Sequence, residues 1–477
     1  MSVVKVKKSV NKYPNAVKVN SVFPKKRQTI FNEYGWGFKD SVFRFENKVL
    51  NFTGERYPIC NIPFKHAETY LKDNLHMDVT NYTPCPPPKQ AEYPEPLSCQ
   101  EFNDDLKSAS IDYSTDFDDR FYRCHGQASR DFYVLRYGKF KRLPDLVVWP
   151  TCHDDVVLIV ELANKYNIVL IPFGGGTNIT LSVNYTKDDN TRLYVSLDTT
   201  QMNRMLWVDK KSMLACFESG ITGQDLERVL AKQGLTMGHE PDSLEFSTLG
   251  GWVATRSSGM KQQTYGNIED IVVRMKLVTS IGTMEKNTLA PRVSIGPDFD
   301  HVVLGSEGTL GVITDVVVKV CKLPQVKRCG SIMFPDFDSG LQCFREIERK
   351  NCKPSSLRLV DNEHFQLGLA LNQNNGILGE FVDEVKKTFA RFILRYDMNK
   401  VALATFVTEG SKSETDDIYS AVMSLGRSFG GFPAGPKYGE RTYVMTFTIC
   451  YIRVSFININ QINAVINKLS ISLGFVF

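Results

Sequence analysis

The chain has 477 residues, 42% of them apolar and 23% charged, with a net charge of +4. That length supports two or more domains around a sizeable core, and the balance is that of an ordinary soluble globular protein. A charge so near neutrality argues against nucleic acid as a partner, and no stretch reaches the ~18 uninterrupted apolar residues of a membrane span.

Residues 1–30 are basic and without periodicity, with Lys5, Lys7 and Lys8 followed by Lys25, Lys26 and Arg27. They read as a flexible, solvated arm, with weak attraction to an anionic lipid surface as the sharper alternative. No apolar run follows the charges, so no secretory signal is expected. The eleven cysteines are scattered and include no C-x-x-C. That fits reduced, mostly buried thiols in an intracellular compartment. Residues 34–100 are aromatic and loop-rich, and the proline-dense stretch 84–96 reads as an extended connector. Asp116 to Asp119 opens a helix.

From residue 143 the pattern becomes regular. A strand over 146–149 precedes a helix over 154–166, whose apolar positions Val156, Val157, Ile159, Val160, Leu162 and Ala163 fall on one face. A buried strand over 168–171 follows, ended by Pro172, which has no N–H to give to a ladder. Strands are expected at 192–197, 213–218 and 316–320. A helix spans 222–233, with Thr222 as N-cap and Gly234 just past its end. Residues 271–279 and 283–286 form a hairpin about Ile281-Gly282. Beyond residue 324, strands at 331–334, 356–360 and 403–407 alternate with helices at 340–350 and 413–429. This is a βαβ-like second domain, and the fold class is α+β.

Three segments carry the chemistry. The first is Pro172-Phe173-Gly174-Gly175-Gly176-Thr177-Asn178, directly after a strand. Three residues without Cβ let the backbone turn sharply and aim several N–H groups at one spot, a nest for a phosphate or pyrophosphate. The Thr177 hydroxyl and Asn178 amide add donors. A tight surface turn is the alternative, and the spacing matches neither a G-x-G-x-x-G fingerprint nor a Walker loop. The second segment runs from His239 through Pro241, Asp242, Ser243, Leu244, Glu245, Phe246 and Ser247 to Thr255, Arg256, Ser257 and Ser258. Its small and hydroxyl-bearing residues let a flat ligand approach the backbone and bond to it. The third is Glu307-Gly308-Thr309-Leu310-Gly311-Val312-Ile313.

In this order the three segments resemble the FAD-binding domain of the vanillyl-alcohol oxidase / para-cresol methylhydroxylase family. Residues 151–157, 201–204, 238–248 and 265–270 are similar to the alkylglycerone-phosphate synthases within it. The resemblance runs from about Tyr34 to Arg453. It implies a basic N-terminal arm and a loop- and helix-rich region over 1–139. A PCMH-type FAD-binding domain of two α+β subdomains would cover 140–323, and an α+β cap, or substrate, domain 324–453. It also implies exchange of the acyl chain of acyl-dihydroxyacetone phosphate for a long-chain fatty alcohol. The product is an ether lipid, made in peroxisomes without net redox, by an enzyme that is a homodimer with peripheral membrane contact. FAD would be held noncovalently and no metal is implied. The 172–178 loop would take the pyrophosphate. Residues 241–247 and 255–258 would line the flavin, and 307–313 would close the far side.

By the same resemblance His239 and Arg358 are catalytic, and Arg453 binds the substrate phosphate. A hydrogen-bonded structural histidine, and a salt bridge from Arg358 to Asp361 or Glu363, are the alternatives. The resemblance stops at Arg453, and residues 454–477 are unlike the family. The segment that carries the family's acid/base tyrosine and histidine cluster is not matched. The cap domain is therefore expected to be incomplete, with an unpaired sheet edge and weak FAD binding. Two other readings share the fold: a flavin oxidoreductase acting on a 2-hydroxy acid or phenol, and a truncated, non-catalytic FAD-binding relative.

Overall fold

A computed structural model describes residues 13–14, 16–21, 23–46, 49–75, 87–185, 191–371 and 395–456. The chain forms two compact units, and each draws on several stretches of sequence. Unit 1 takes residues 1–35, 85–259 and 265–323, and unit 2 takes 36–84, 260–264 and 324–477. The region read as one N-terminal block, 1–139, is thus divided between them.

Unit 1 holds two sheets. The smaller has strands in the order Asp112–Ser114, Leu146–Trp149, Tyr194–Asp198, Val169–Phe173. Tyr194–Asp198 pairs in parallel with both Leu146–Trp149 and Val169–Phe173. Strands covered on both sides read as continuous apolar runs, and Leu146 to Trp149 are all buried. The helix His153–Lys165 lays Val156, Ile159 and Val160 against Val148, Val195 and Leu197, with Phe102 and Leu106 in the same core. One expectation fails locally. Pro172 does not end its strand but pairs with Leu197, and Phe173 pairs with Asp198. The strand lies at the sheet edge, where a missing N–H breaks no ladder. For the same reason Val169 to Pro172 are only half-buried.

The larger sheet is antiparallel throughout, in the order Val17–Lys18, Arg204–Asp209, Leu214–Glu218, Val312–Lys319, Val272–Thr279, Gly282–Glu285. Ala215, Phe217, Val316 and Val318 line one core with Leu226 and Leu230 of helix Gly223–Ala231. Trp252 and Val253 of helix Leu249–Thr255 join them. Thr222 caps the first helix and Gly234 takes φ +74°, both as the sequence indicated. The first two strands were not anticipated. Val17–Lys18 belongs to the stretch read as a flexible arm, yet Val19, Phe23 and Arg27 are buried. The arm's apolar residues are too widely spaced to show a period.

Unit 2 is built on a sheet ordered Ser356–Val360, Ala402–Gly410, Val326–Phe334, Phe432–Pro433, with antiparallel neighbours. Val326–Phe334 and Ser356–Val360 run parallel to each other through helix Phe337–Arg349, with Ala402–Gly410 between them. This is a split βαβ. Ile332, Phe334, Ala404 and Phe406 face helices Phe337–Arg349 and Lys412–Ser428. Met333 and Leu403 face Phe365 on helix Asn362–Ala370. The region read as loops contributes a hairpin, Phe43–Glu46 with Val49–Phe52, and a helix, Ala67–Leu75. Tyr451, on the last described helix Pro436–Phe456, is buried against this part. Its hydroxyl accepts the Phe38 N–H at 3.2 Å and meets the Tyr57 hydroxyl at 3.0 Å. Of the proline stretch, 84–86 lie outside the described residues, and Gln90–Glu92 makes a single 3₁₀ turn.

Candidate cofactor site

All three predicted segments belong to unit 1, and the structure brings them together. Strand Val169–Phe173 delivers the glycine loop. A Cβ on Gly174 would stand 2.5 Å from the Thr248 hydroxyl, and one on Gly175 would stand 2.1 Å from the Phe246 carbonyl oxygen. Gly176 turns the chain at φ +73°, and a Cβ there would stand 2.6 Å from the Phe173 ring. The glycines are therefore required by the close approach of the second segment, and not merely by the turn. The third segment is tied to both others. The Glu307 N–H donates to the Ala254 carbonyl at 2.8 Å, the Thr180 hydroxyl donates to the Glu307 carboxylate, and Gly308 packs on the Pro172 ring.

Within the second segment, Ser243 to Ser247 make a tight turn. The Ser247 hydroxyl donates to the Ser243 carbonyl at 2.8 Å and accepts the Trp252 indole N–H at 2.7 Å. Thr248 then caps the helix that carries Trp252 by accepting the Gly251 N–H. Pro241, Phe246 and Ser247 are buried, while Asp242, Ser243, Leu244 and Glu245 are half-buried. Thr255, Arg256 and Ser258 are exposed. Arg256 takes the left-handed conformation that ends the helix and pairs with Glu269 at 3.4 Å, and the Ser258 hydroxyl donates to Asn267. Val312 and Ile313 are strand residues packed in two different cores, so they support the third turn from beneath. Thr309 and Leu310 are exposed.

His239 is 1% exposed and stands edge-on to Trp252. Its Nε2 is 2.8 Å from the Ser257 hydroxyl. Burial pushes its pKa down to about 4, so it is neutral near pH 7. Just before it, Glu227 accepts the Met237 and Gly238 N–H groups and the Thr236 hydroxyl, which fixes the approach to the histidine. The His239 Nδ1 and Asn178 Oδ1 atoms are buried with no hydrogen-bond partner among the described residues. Buried polar atoms are rarely left so, and one such atom at the end of the glycine loop and another at the start of the second segment suit a polar ligand.

The sequence reasoning missed what lies behind the loop. Arg27 is fully buried, and its Nη2 donates to the Gly174 carbonyl at 2.6 Å, to Asp198 Oδ1 at 2.8 Å and to the Thr200 hydroxyl at 3.1 Å. Arg123 binds the other Asp198 oxygen at 2.8 Å. Burial alone would raise the Asp198 pKa, but the two guanidinium groups overcome it and hold the carboxyl below its ordinary value. A lone basic cluster near the N-terminus gave no signal of this.

Arg358 and Arg453 belong to unit 2. Arg358, on strand Ser356–Val360, is half-buried and donates to the Thr446 hydroxyl. Asp361, one of its anticipated partners, caps helix Asn362–Ala370 through the His364 N–H and ring. Arg453 lies in helix Pro436–Phe456, and its side chain lies outside the described part of the structure, as do residues 457–477. Ten cysteines are described. Four are buried and Cys321 is exposed, so fewer are buried than expected. Among the described residues no helix is long and apolar enough to cross a membrane.

Comparison with known proteins gives this geometry a context. Residues 144–287 match the family described as the FAD binding domain, and residues 323–440 match the C-terminal domain of FAD linked oxidases. The chain is 38% identical over 429 residues to the alkyldihydroxyacetonephosphate synthase of Caenorhabditis elegans, covering 90% of this chain and 72% of that protein. It is 36% identical over 411 residues to the enzyme of that name from Dictyostelium discoideum, covering 86% of this chain and 64% of that protein. A solved alkyldihydroxyacetonephosphate synthase structure superposes with a TM-score of 0.80 at 32% identity, over 91% of this chain and 80% of that one. The structure of p-cresol methylhydroxylase with substrate bound superposes with a TM-score of 0.55 at 16% identity, which shows the common fold alone. The FAD binding domain contains the glycine loop and the whole second segment. Their close backbone approach and the two orphaned polar atoms fit that cofactor.

Proposed function

We propose, from the premise that this chain belongs to the alkyldihydroxyacetonephosphate synthase family, that it replaces the acyl chain of acyl-dihydroxyacetone phosphate with a long-chain fatty alcohol. The observation that carries the reading is the convergence of residues 172–178, 241–248 and 305–308 within one unit that matches an FAD binding domain. FAD, when bound, supplies a transient electron sink for an exchange that has no net redox.

The chain's own residues have distinct tasks. The backbone N–H groups of residues 174–178 receive the FAD pyrophosphate, because a nest of amide dipoles suits an anion without a formal cation in the loop. The hydroxyl-rich stretch 243–247 and Ser257 provide hydrogen bonds along the ribityl and ring region. His239, neutral at the working pH, holds the Ser257 hydroxyl in place and keeps a ring nitrogen available to a ligand. No thiol lies in the three segments, and the one histidine beside them is engaged with Ser257, which supports noncovalent FAD. Arg453 is proposed for the substrate phosphate, since a planar guanidinium matches it bidentately, and Arg358 is proposed as a catalytic arginine. A homodimer in the peroxisome with peripheral membrane contact is part of the same reading, supported by the family alone.

The test is direct. The purified chain, loaded with FAD, is given acyl-dihydroxyacetone phosphate and labelled hexadecanol. Ether-linked product with release of one fatty acid per turnover is expected. Flavin reduction by D-lactate or a phenol, with no ether product, overturns the proposal in favour of an oxidoreductase.

A further inference from the structure

We propose that Arg27 is a positioning residue of the FAD cradle, and that the segment around it is an integral wall of the cofactor site. The inference rests on reading residues 172–178 as the pyrophosphate loop. A guanidinium is costly to bury unless it is paired, and here one nitrogen carries the pairing: Asp198, Thr200 and the Gly174 carbonyl all accept from Nη2, while the buried Nε and Nη1 have no hydrogen-bond partner among the described residues. The charge also stands 5.1 Å from the ring centroids of Phe23 and of Phe173, the residue immediately before the glycines. Four residues on, Phe31 meets Phe246 edge-on at 5.7 Å. The one short stretch 23–31 therefore touches both the first and the second cofactor segments.

The contact to the Gly174 carbonyl has a geometric effect. The peptide unit is planar and trans, so its C=O and the next N–H point in opposite directions. Drawing the Gly174 oxygen toward Arg27 turns the Gly175 N–H away from it, toward the open side of the loop. Three consecutive glycines would otherwise sample many conformations, and ordering them would be charged against cofactor affinity. Arg27 holds the loop in place beforehand. Asp198 in turn holds Arg27, and Arg123 holds Asp198.

The experiment measures FAD affinity by fluorescence titration of flavin-free protein, together with the melting temperature of that flavin-free protein. The variants are Arg27→Met, Arg27→Lys and Thr200→Val, beside wild type. Arg27→Met is expected to weaken FAD on the order of tenfold to a hundredfold, as for loss of a charged hydrogen bond. Arg27→Lys should recover part of that loss. Thr200→Val, which removes the longest of the three contacts together with the Thr200 hydroxyl's 2.6 Å bond to Asp198 Oδ1, should weaken FAD a few-fold, by more than its loss of flavin-free melting temperature accounts for. Should Arg27→Met fail to fold, the other two variants decide. Unchanged FAD affinity in the variants that fold overturns the inference. So does a loss of affinity that merely tracks loss of flavin-free stability and is not recovered by Arg27→Lys. If wild type takes up no FAD, the reading of the domain falls and takes this inference with it. Wild-type uptake with unaffected variants removes only the inference.

Discussion

Neutral His239 makes a pH prediction at the scale of single residues. Its pKa falls from an ordinary 6.5 to about 4 in the folded protein, because burial disfavours the charged ring. The unfolded chain takes up the proton first as pH drops. The stability contributed by the neutral form is thus intact above about pH 6.5 and is lost progressively toward pH 4, by about 3 kcal/mol in all. Urea unfolding between these limits should show that slope, and His239→Gln should flatten it. Gly175 makes a steric prediction. The obstacle to a Cβ there is a backbone carbonyl, which cannot swing aside. Gly175→Ala should therefore destabilise the protein by about 1–3 kcal/mol and weaken FAD, as thermal melts with and without cofactor would show. The glycine loop was legible because its signal is local. Arg27 was not, because its partners Gly174 and Asp198 lie 147 and 171 positions away and no short-range pattern announces them.

Among the elements, those with a strong period were read nearly to the residue, and those without one were missed. The helix at 153–165 carries its apolar face in plain view, whereas strands Val17–Lys18 and Arg204–Asp209 are short and gain their stability from neighbours far along the chain. Pro172 shows the limit of a residue rule: it is a strand breaker only where its N–H would have had a partner. Helix Lys412–Ser428 offers a test at this scale. Ser411 accepts the Glu414 N–H, while the Glu414 carboxylate accepts the Ser411 N–H at 3.0 Å. This is a capping box. Ser411→Ala should cost about 1 kcal/mol in a denaturant melt. FAD affinity should be unchanged, because the helix belongs to unit 2 while the three cofactor segments belong to unit 1.

At the scale of the whole molecule, the cofactor should act as a stabiliser of unit 1. A ligand bound only by the folded form adds about 2.7 kcal/mol at a hundred times its dissociation constant. Three of the four tryptophans, Trp149, Trp207 and Trp252, lie in that unit, and Trp36 lies in the other. A fluorescence-detected melt should therefore move upward with FAD in a Trp36→Phe variant as it does in wild type. A shift lost with Trp36 would contradict the assignment of the cofactor to unit 1.

The interleaving of the two units also governs how the protein is made. The hairpin and helix of residues 43–75 belong to a unit most of which is synthesised after residue 324. The buried Tyr451 hydroxyl that receives the Phe38 N–H comes 413 positions later. Until that late helix emerges, Phe52 lacks the Tyr451 ring that meets it edge-on at 5.2 Å. Vectorial synthesis thus leaves an early apolar hairpin waiting on the ribosome for its partner. Contacts of such long sequence separation are expected to slow folding relative to a chain whose domains are consecutive, as refolding kinetics would show.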